Sequence, residues 1–175
     1  MKLKTLMLAM GFVLAINGAA VASNTEVRFG VGDGESNITS YTLSAMQRYE
    51  PFISGTLGEL APTAELSAHF WDGNGDDNAW GGSLAPGLRF TMFTDGSFNP
   101  YLGASVGGSV MSEDKISGRD LGSHVLFKTQ GVVGVEFGES NRHRIQGEYN
   151  YFSNWGLSDT NDGFSTIGGS YSYSF

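Results

Sequence analysis

Residues 144–153 read Arg-Ile-Gln-Gly-Glu-Tyr-Asn-Tyr-Phe-Ser, and nearly every step changes the character of the side chain. Ile145, Gly147, Tyr149, Tyr151 and Ser153 fall on one side, with Arg144, Gln146, Glu148 and Asn150 on the other. A period of two marks a strand whose faces meet different surroundings, because successive side chains point to opposite sides of the pleat. The pattern recurs along the chain. Ser165, Ile167, Gly169, Tyr171, Tyr173 and Phe175 oppose Thr166, Gly168, Ser170, Ser172 and Ser174. Val125, Phe127, Val133, Val135 and Phe137 oppose Lys128, Gln130 and Glu136, and Leu84, Leu88, Phe90 and Met92 oppose Arg89 and Thr91. No long segment carries a helical period. Clusters of Gly, Asp, Asn and Ser divide the chain into eight predicted strands, 25–32, 38–49, 60–72, 80–93, 98–112, 122–138, 142–154 and 163–175.

Two architectures suit such strands. In a secreted β-sandwich the apolar face points inward; in a membrane barrel it points outward and the polar face fills the interior. The N-terminal segment argues for export. Lys2 and Lys4 precede a short apolar run, Thr5 to Ile16, and Ala20-Val21-Ala22 forms a small-x-small cleavage site. Residues 1–22 are therefore expected to be a signal peptide, and 23–175 the folded domain. Removing the two lysines takes the formal net charge from −8 to −10. Phosphates repel so acidic a chain, which excludes nucleic acid as a partner. With no cysteine there is no disulfide framework.

Three features favour the barrel. Phe175 ends the chain in register with the apolar face, a C-terminal aromatic of the kind expected to address a chain to the barrel assembly machinery. Arg28, Arg48, Arg89, Lys128 and Arg144 share the polar face with Glu65, Glu136 and Glu148, and buried ions need partners. Short turns (Tyr49–Ser54, Phe93–Phe98, Gly138–Arg142) alternate with longer acidic ones, as periplasmic turns alternate with outer loops. On this placement Trp71, Trp80 and Trp155 belong to an outer aromatic girdle, and Tyr49, Phe98, Tyr101 and Phe175 to an inner one. The expected fold is an all-β, eight-stranded antiparallel transmembrane β-barrel of the bacterial outer membrane.

The chemistry-bearing residues are few. Asp72-x-Asn74-x-Asp76 resembles the start of a calcium loop, but Asp77 stands at the sixth position and Ser83 at the twelfth, so a solvated loop is the expectation. His69 and His124 fall on inward faces and His143 beside a periplasmic turn, on separate strands with no ligand spacing. No metal and no cofactor is expected. That leaves Ser153 at the outer end of the seventh strand, on the lipid face with Tyr151 and Ser165. A surface site there reaches only a lipid.

The segments Ser83–Phe93, Asn99–Val110, Asp120–Phe137 and Phe152–Phe164 resemble, in order, segments of the lipid A 3-O-deacylase (PagL) family. The resemblance spans the mature chain. It implies an eight-stranded outer-membrane barrel whose outer surface carries a Ser-His-Glu triad that removes the 3-position acyl chain of lipid A. Ser153 stands at the nucleophile position, and Asn154 at the position thought to help hold the oxyanion. Gly156, Asn161, Asp162 and Gly163 also match. Tyr151 stands where the histidine belongs and Ser165 where the glutamate belongs. A serine hydroxyl needs a base to take its proton, and a phenol, which ionises near pH ~10, is a poor one. A serine at 165 has no charge with which to stabilise an imidazolium. The expectation is a catalytically degenerate member that contacts lipopolysaccharide. The alternatives are an active lipid A acyl-ester hydrolase using Ser153 with a non-standard base, for which Asp159 and Asp162 are the nearby carboxylates, and a small structural or adhesive barrel.

Overall fold

The computed structural model describes residues 24–75, 77–94 and 96–175; the predicted signal peptide and Asp76 of the acidic loop lie outside them. Eight strands span the molecule: β1 (Thr25–Gly34), β2 (Thr39–Arg48), β4 (Gly58–Asp72), β5 (Asn78–Met92), β6 (Phe98–Met111), β9 (Val125–Phe137), β10 (His143–Ser153) and β11 (Phe164–Ser174). Between them lie three short strands, β3 (Ile53–Gly55), β7 (Lys115–Ile116) and β8 (Arg119–Asp120). All pair antiparallel, and β11 closes on β1, so the spanning sheet has no free edge. That closure is what allows strands to cross a bilayer, where an unpaired backbone group costs several kcal/mol.

The stagger can be read from the register. The Cα partners run Pro62, Leu88, Ala104, Gly131, Tyr149, Ile167, Asp33 and Thr39, and Thr39 then pairs with Asp72. One circuit thus advances ten residues along β4. Such a stagger tilts the strands and sets an interior that side chains can fill.

The filling is ionic. Glu65 pairs with Arg28 and lies 2.8 Å from the Lys128 ammonium. In a second cluster Arg89 and Arg144 each bridge Glu26 and Glu136, at 2.9–3.4 Å. Apart from Arg144–Glu136, which joins the neighbouring strands β10 and β9, these pairs join strands that are not adjacent in the sheet, so their side chains meet across the lumen. The alternating faces are as expected, with Leu84, Leu88, Val133, Ile145 and Ile167 exposed on the outside. Glu26 is an interior acid that the strand reading did not include.

At the outer end the lumen is closed by an apolar cluster that includes Ile38, Trp71, Leu121, Leu126, Phe152 and Phe164. Three expectations are corrected here. Trp71 is fully buried and faces the interior, stacked on His69 at 5.0 Å, whereas Trp80 and Trp155 are exposed as a girdle requires. Tyr101 is also buried, donating to Gln146 Oε1 at 2.7 Å beneath the Arg89 guanidinium. His124 precedes β9 and is exposed: Gly122 turns at φ +64°, so the alternation that places His124 inward begins only at Val125.

Candidate functional site

The cross-strand pair Phe152–Phe164 positions the site. Both rings face inward and stack at 5.1 Å within the plug, with Trp71 edge-on at 5.2 Å to Phe152. Alternation then turns their neighbours outward, and the register places Tyr151 directly opposite Ser165 on the outer face. Ser153 ends β10 on that face, 7% exposed. It opens on a groove of about 210 Å³ lined by Val106, Phe127, Thr129, Tyr151, Trp155 and Asn161.

Trp155 forms a wall of this groove, its ring 4.8 Å from Phe127. Its backbone is left-handed (φ +53°), followed by Gly156 at φ +84°. A bulky residue in that region costs about 1–2 kcal/mol, so the turn needs outside support. Asn154, which has no exposed surface, provides it. Its side-chain amide donates to Leu121 O (2.8 Å) and Thr160 O (2.7 Å), and its Oδ1 accepts from Gly156 N–H at 2.8 Å. Its backbone N–H donates to Asn161 Oδ1 at 3.0 Å. With Oδ1 so engaged, the Asn161 Nδ2 protons are left beside the groove without a protein acceptor among the described residues. Asn154→Ala is expected to leave the buried Leu121 carbonyl unpaired, at about 1–3 kcal/mol, and to release the part-buried Thr160 O and the Gly156 N–H. Hydrogen exchange would then show the Gly156 amide losing its protection in a barrel that is still folded.

The loop beyond is tied to the third outer loop. Arg119 donates to Gly163 O (2.6 Å) and Asp162 O (2.8 Å), and Asp162 Oδ2 accepts from Asp120 N–H at 2.9 Å. Lys115 bonds Asp120 at 2.7 Å and holds its carboxyl below the usual range. Gly163 packs so closely that a Cβ there would lie 2.6 Å from the Tyr151 hydroxyl, and its φ is +37°. The first outer loop also reaches this point: Ser165 Oγ donates to Glu35 Oε1 at 2.8 Å, and Arg119 lies 2.9 Å from Glu35 Oε2. Glu35 and Arg119 were missed in the sequence. Their only signals are a short acidic turn and an arginine in a loop of no evident periodicity.

No histidine adjoins Ser153 among the described residues. His69 is inside the lumen between Thr42 and Ser83, at 3.1 and 2.9 Å. His124 bonds Met111 O at 3.1 Å. His143 sits at the opposite rim, 2.8 Å from the Tyr171 hydroxyl. In the acidic loop Asp77 Oδ2 accepts from Ser117 N–H at 2.7 Å, tying the second outer loop to the third.

A family model described as lipid A 3-O-deacylase (PagL) matches residues 38–174. Two curated proteins named lipid A deacylase PagL are similar to the chain. The Bordetella bronchiseptica protein is 28% identical over 153 residues, 85% of this chain and 82% of that one. The Pseudomonas aeruginosa protein is 28% identical over 163 residues, 91% and 92% of the two chains. Among solved structures, the outer membrane enzyme PagL aligns with a TM-score of 0.78 at 21% identity, covering 86% of this chain and 99% of that one. Neisserial surface protein A (NspA) aligns at 0.54 and 14% identity, covering 86% and 94%. At these identities the structural matches show the fold, a closed outer-membrane barrel.

Proposed function

We propose a function from one premise: the chain belongs to the lipid A 3-O-deacylase (PagL) family. It is an outer-membrane β-barrel with a groove on its outward surface beside Ser153. The reading is that this groove takes an acyl chain of lipid A from the surrounding leaflet, with its ester near Ser153, and that hydrolysis there is slow. Val106, Phe127 and Trp155 supply apolar walls, and the unpaired amide of Asn161 supplies a donor for an ester carbonyl. Asn154, at the position carried over as an oxyanion residue, acts in this reading by holding Asn161 and Gly156 in place.

One observation carries the slow turnover. Beside Ser153 stands the pair Tyr151–Ser165, with no imidazole near it. In ester hydrolysis the serine proton must leave as Oγ bonds to the carbonyl carbon, and must then reach the departing alkoxide; water afterwards releases the fatty acid by the same route. An imidazole serves both transfers. Without it, polarisation of the carbonyl by the amide donors is the remaining contribution.

The test is retention of lipid. Barrel purified from outer membranes should carry lipid A detectable by native mass spectrometry. Thr129→Trp, which fills the groove, should reduce the bound fraction several-fold while heat-modifiable gel migration stays unchanged. Equal lipid A on both proteins would remove the groove from the account.

A further inference from the structure

We propose that Glu35, in the first outer loop, is the carboxylate of this site, a positioning residue that acts through Ser165 on the side chain at position 151. The inference rests on the reading of Ser153 as the nucleophile position. A hydroxyl has one proton and two acceptor lone pairs. Ser165 gives its proton to Glu35 Oε1 at 2.8 Å, so towards its other neighbours its oxygen is an acceptor, polarised by the carboxylate behind it. The neighbour directly across the strand pair is residue 151, on the same outward face; such pairs have Cβ atoms about 4.5–5.5 Å apart. Glu35 in the turn after β1, Ser165 on β11 and Tyr151 on β10 therefore follow one another around the rim, with Ser153 two residues further along β10. A serine at 165 is in this way not a dead end. It passes on a charge supplied from the first outer loop.

Glu35 is built into its place. Arg119 lies 2.9 Å from its second oxygen, and the same guanidinium donates to Gly163 O and Asp162 O. The carboxylate is thus fixed relative to the loop that carries Asn161. An internal comparison separates this role from turn geometry. Gly34-Glu35-Ser36-Asn37 recurs as Gly138-Glu139-Ser140-Asn141 at the periplasmic end, with Ser36 and Ser140 at φ 60° and 54° and Asn37 and Asn141 at 58° and 53°. Glu139 makes no ion pair among the described residues and is exposed. The turn itself needs no carboxylate partner; only the outer copy has one.

The test starts from Tyr151→His in the full chain, alone and combined with Glu35→Gln or Glu35→Asp. Two readings are taken: lipid A by mass spectrometry from cells making each protein, and NMR titration of the introduced imidazole in the detergent-folded barrel. Glu35→Gln should cut the deacylation gained by Tyr151→His at least about tenfold, with partial recovery in Glu35→Asp. It should also lower the imidazole titration by about half a pH unit or more; Arg119, Asp162, Asp159 and the Lys115–Asp120 pair, the other charged groups of the loops beside the site, are the same in all variants. A purely structural clasp would alter stability and leave that titration in place. Identical titration with and without Glu35→Gln overturns the proposal, as does deacylation gained by Tyr151→His that Glu35→Gln leaves unchanged. A shifted titration in an inert Tyr151→His protein would uphold Glu35 and instead count against Ser153 as nucleophile.

Discussion

Glu65→Ala is expected to lower the stability of the folded barrel by about 3–5 kcal/mol, the cost of breaking a buried ion pair from one side. Glu65 is 3% exposed and accepts from Arg28, from Lys128 at 2.8 Å and from Ser67 at 2.7 Å. Its removal leaves two buried cations facing each other across the lumen. Of the other interior acids, Glu26 and Glu136 are engaged with Arg89 and Arg144, and Glu148, which accepts from Gln146 at 3.1 Å, forms no ion pair with either cation. Glu65→Gln keeps the shape and part of the hydrogen bonding and should cost less. Denaturant midpoints of the refolded barrel measure the loss, and heat-modifiable migration shows it as unfolding at a lower temperature. A Glu65→Ala protein as stable as its parent would mean that the interior is not held by this network.

The second large effect concerns rate. Tyr151→His should raise Ser153-dependent hydrolysis of lipid A by about 10²–10⁴-fold, the usual contribution of a positioned general base. The family pattern by itself would favour adding Ser165→Glu. The structure predicts otherwise, because that change breaks the Ser165–Glu35 bond and sets a second carboxylate against Glu35. Like charges so close raise the proton affinity of one of them. The double variant should therefore be no faster than Tyr151→His alone until Glu35→Gln removes the conflict. Initial rates on purified lipid A in detergent compare the three proteins directly.

Much of this was legible in the sequence. Each spanning strand meets lipid on one side and a packed polar lumen on the other, so its composition alternates and its position shows. The observed ends lie within about three residues of those expected, and the largest difference, at the start of β9, arises where Gly122 turns at φ +64°. Aromatic residues were harder to place. Position at a strand end suggested a girdle for Trp71, but it shares its face of β4 with Glu65, Ser67 and His69 and so points inward, where Phe152 and Phe164 give it ring edges to pack on. Tyr101 likewise shares the inner face of β6 with Asn99 and Ser109, and there Gln146 accepts from its hydroxyl. The site was half legible. Ser153, Tyr151 and Ser165 could be placed on one face by counting. The contact between Ser165 and Glu35 spans 130 residues and exists only because the last strand closes on the first. The role of Asn154 as a brace was equally hidden, since its acceptors, Leu121 O and Thr160 O, are backbone atoms that any residue would supply.

The most direct measurement is mass spectrometry of lipid A from cells overproducing the protein, beside the same cells making Ser153→Ala, with membrane insertion checked by heat-modifiable migration. The account predicts lipid A that is unchanged, or changed only in a small fraction, in both. Extensive loss of the 3-position acyl chain, abolished by Ser153→Ala, would contradict it: Ser153 would then be an efficient nucleophile, and a base other than an imidazole would have to serve it.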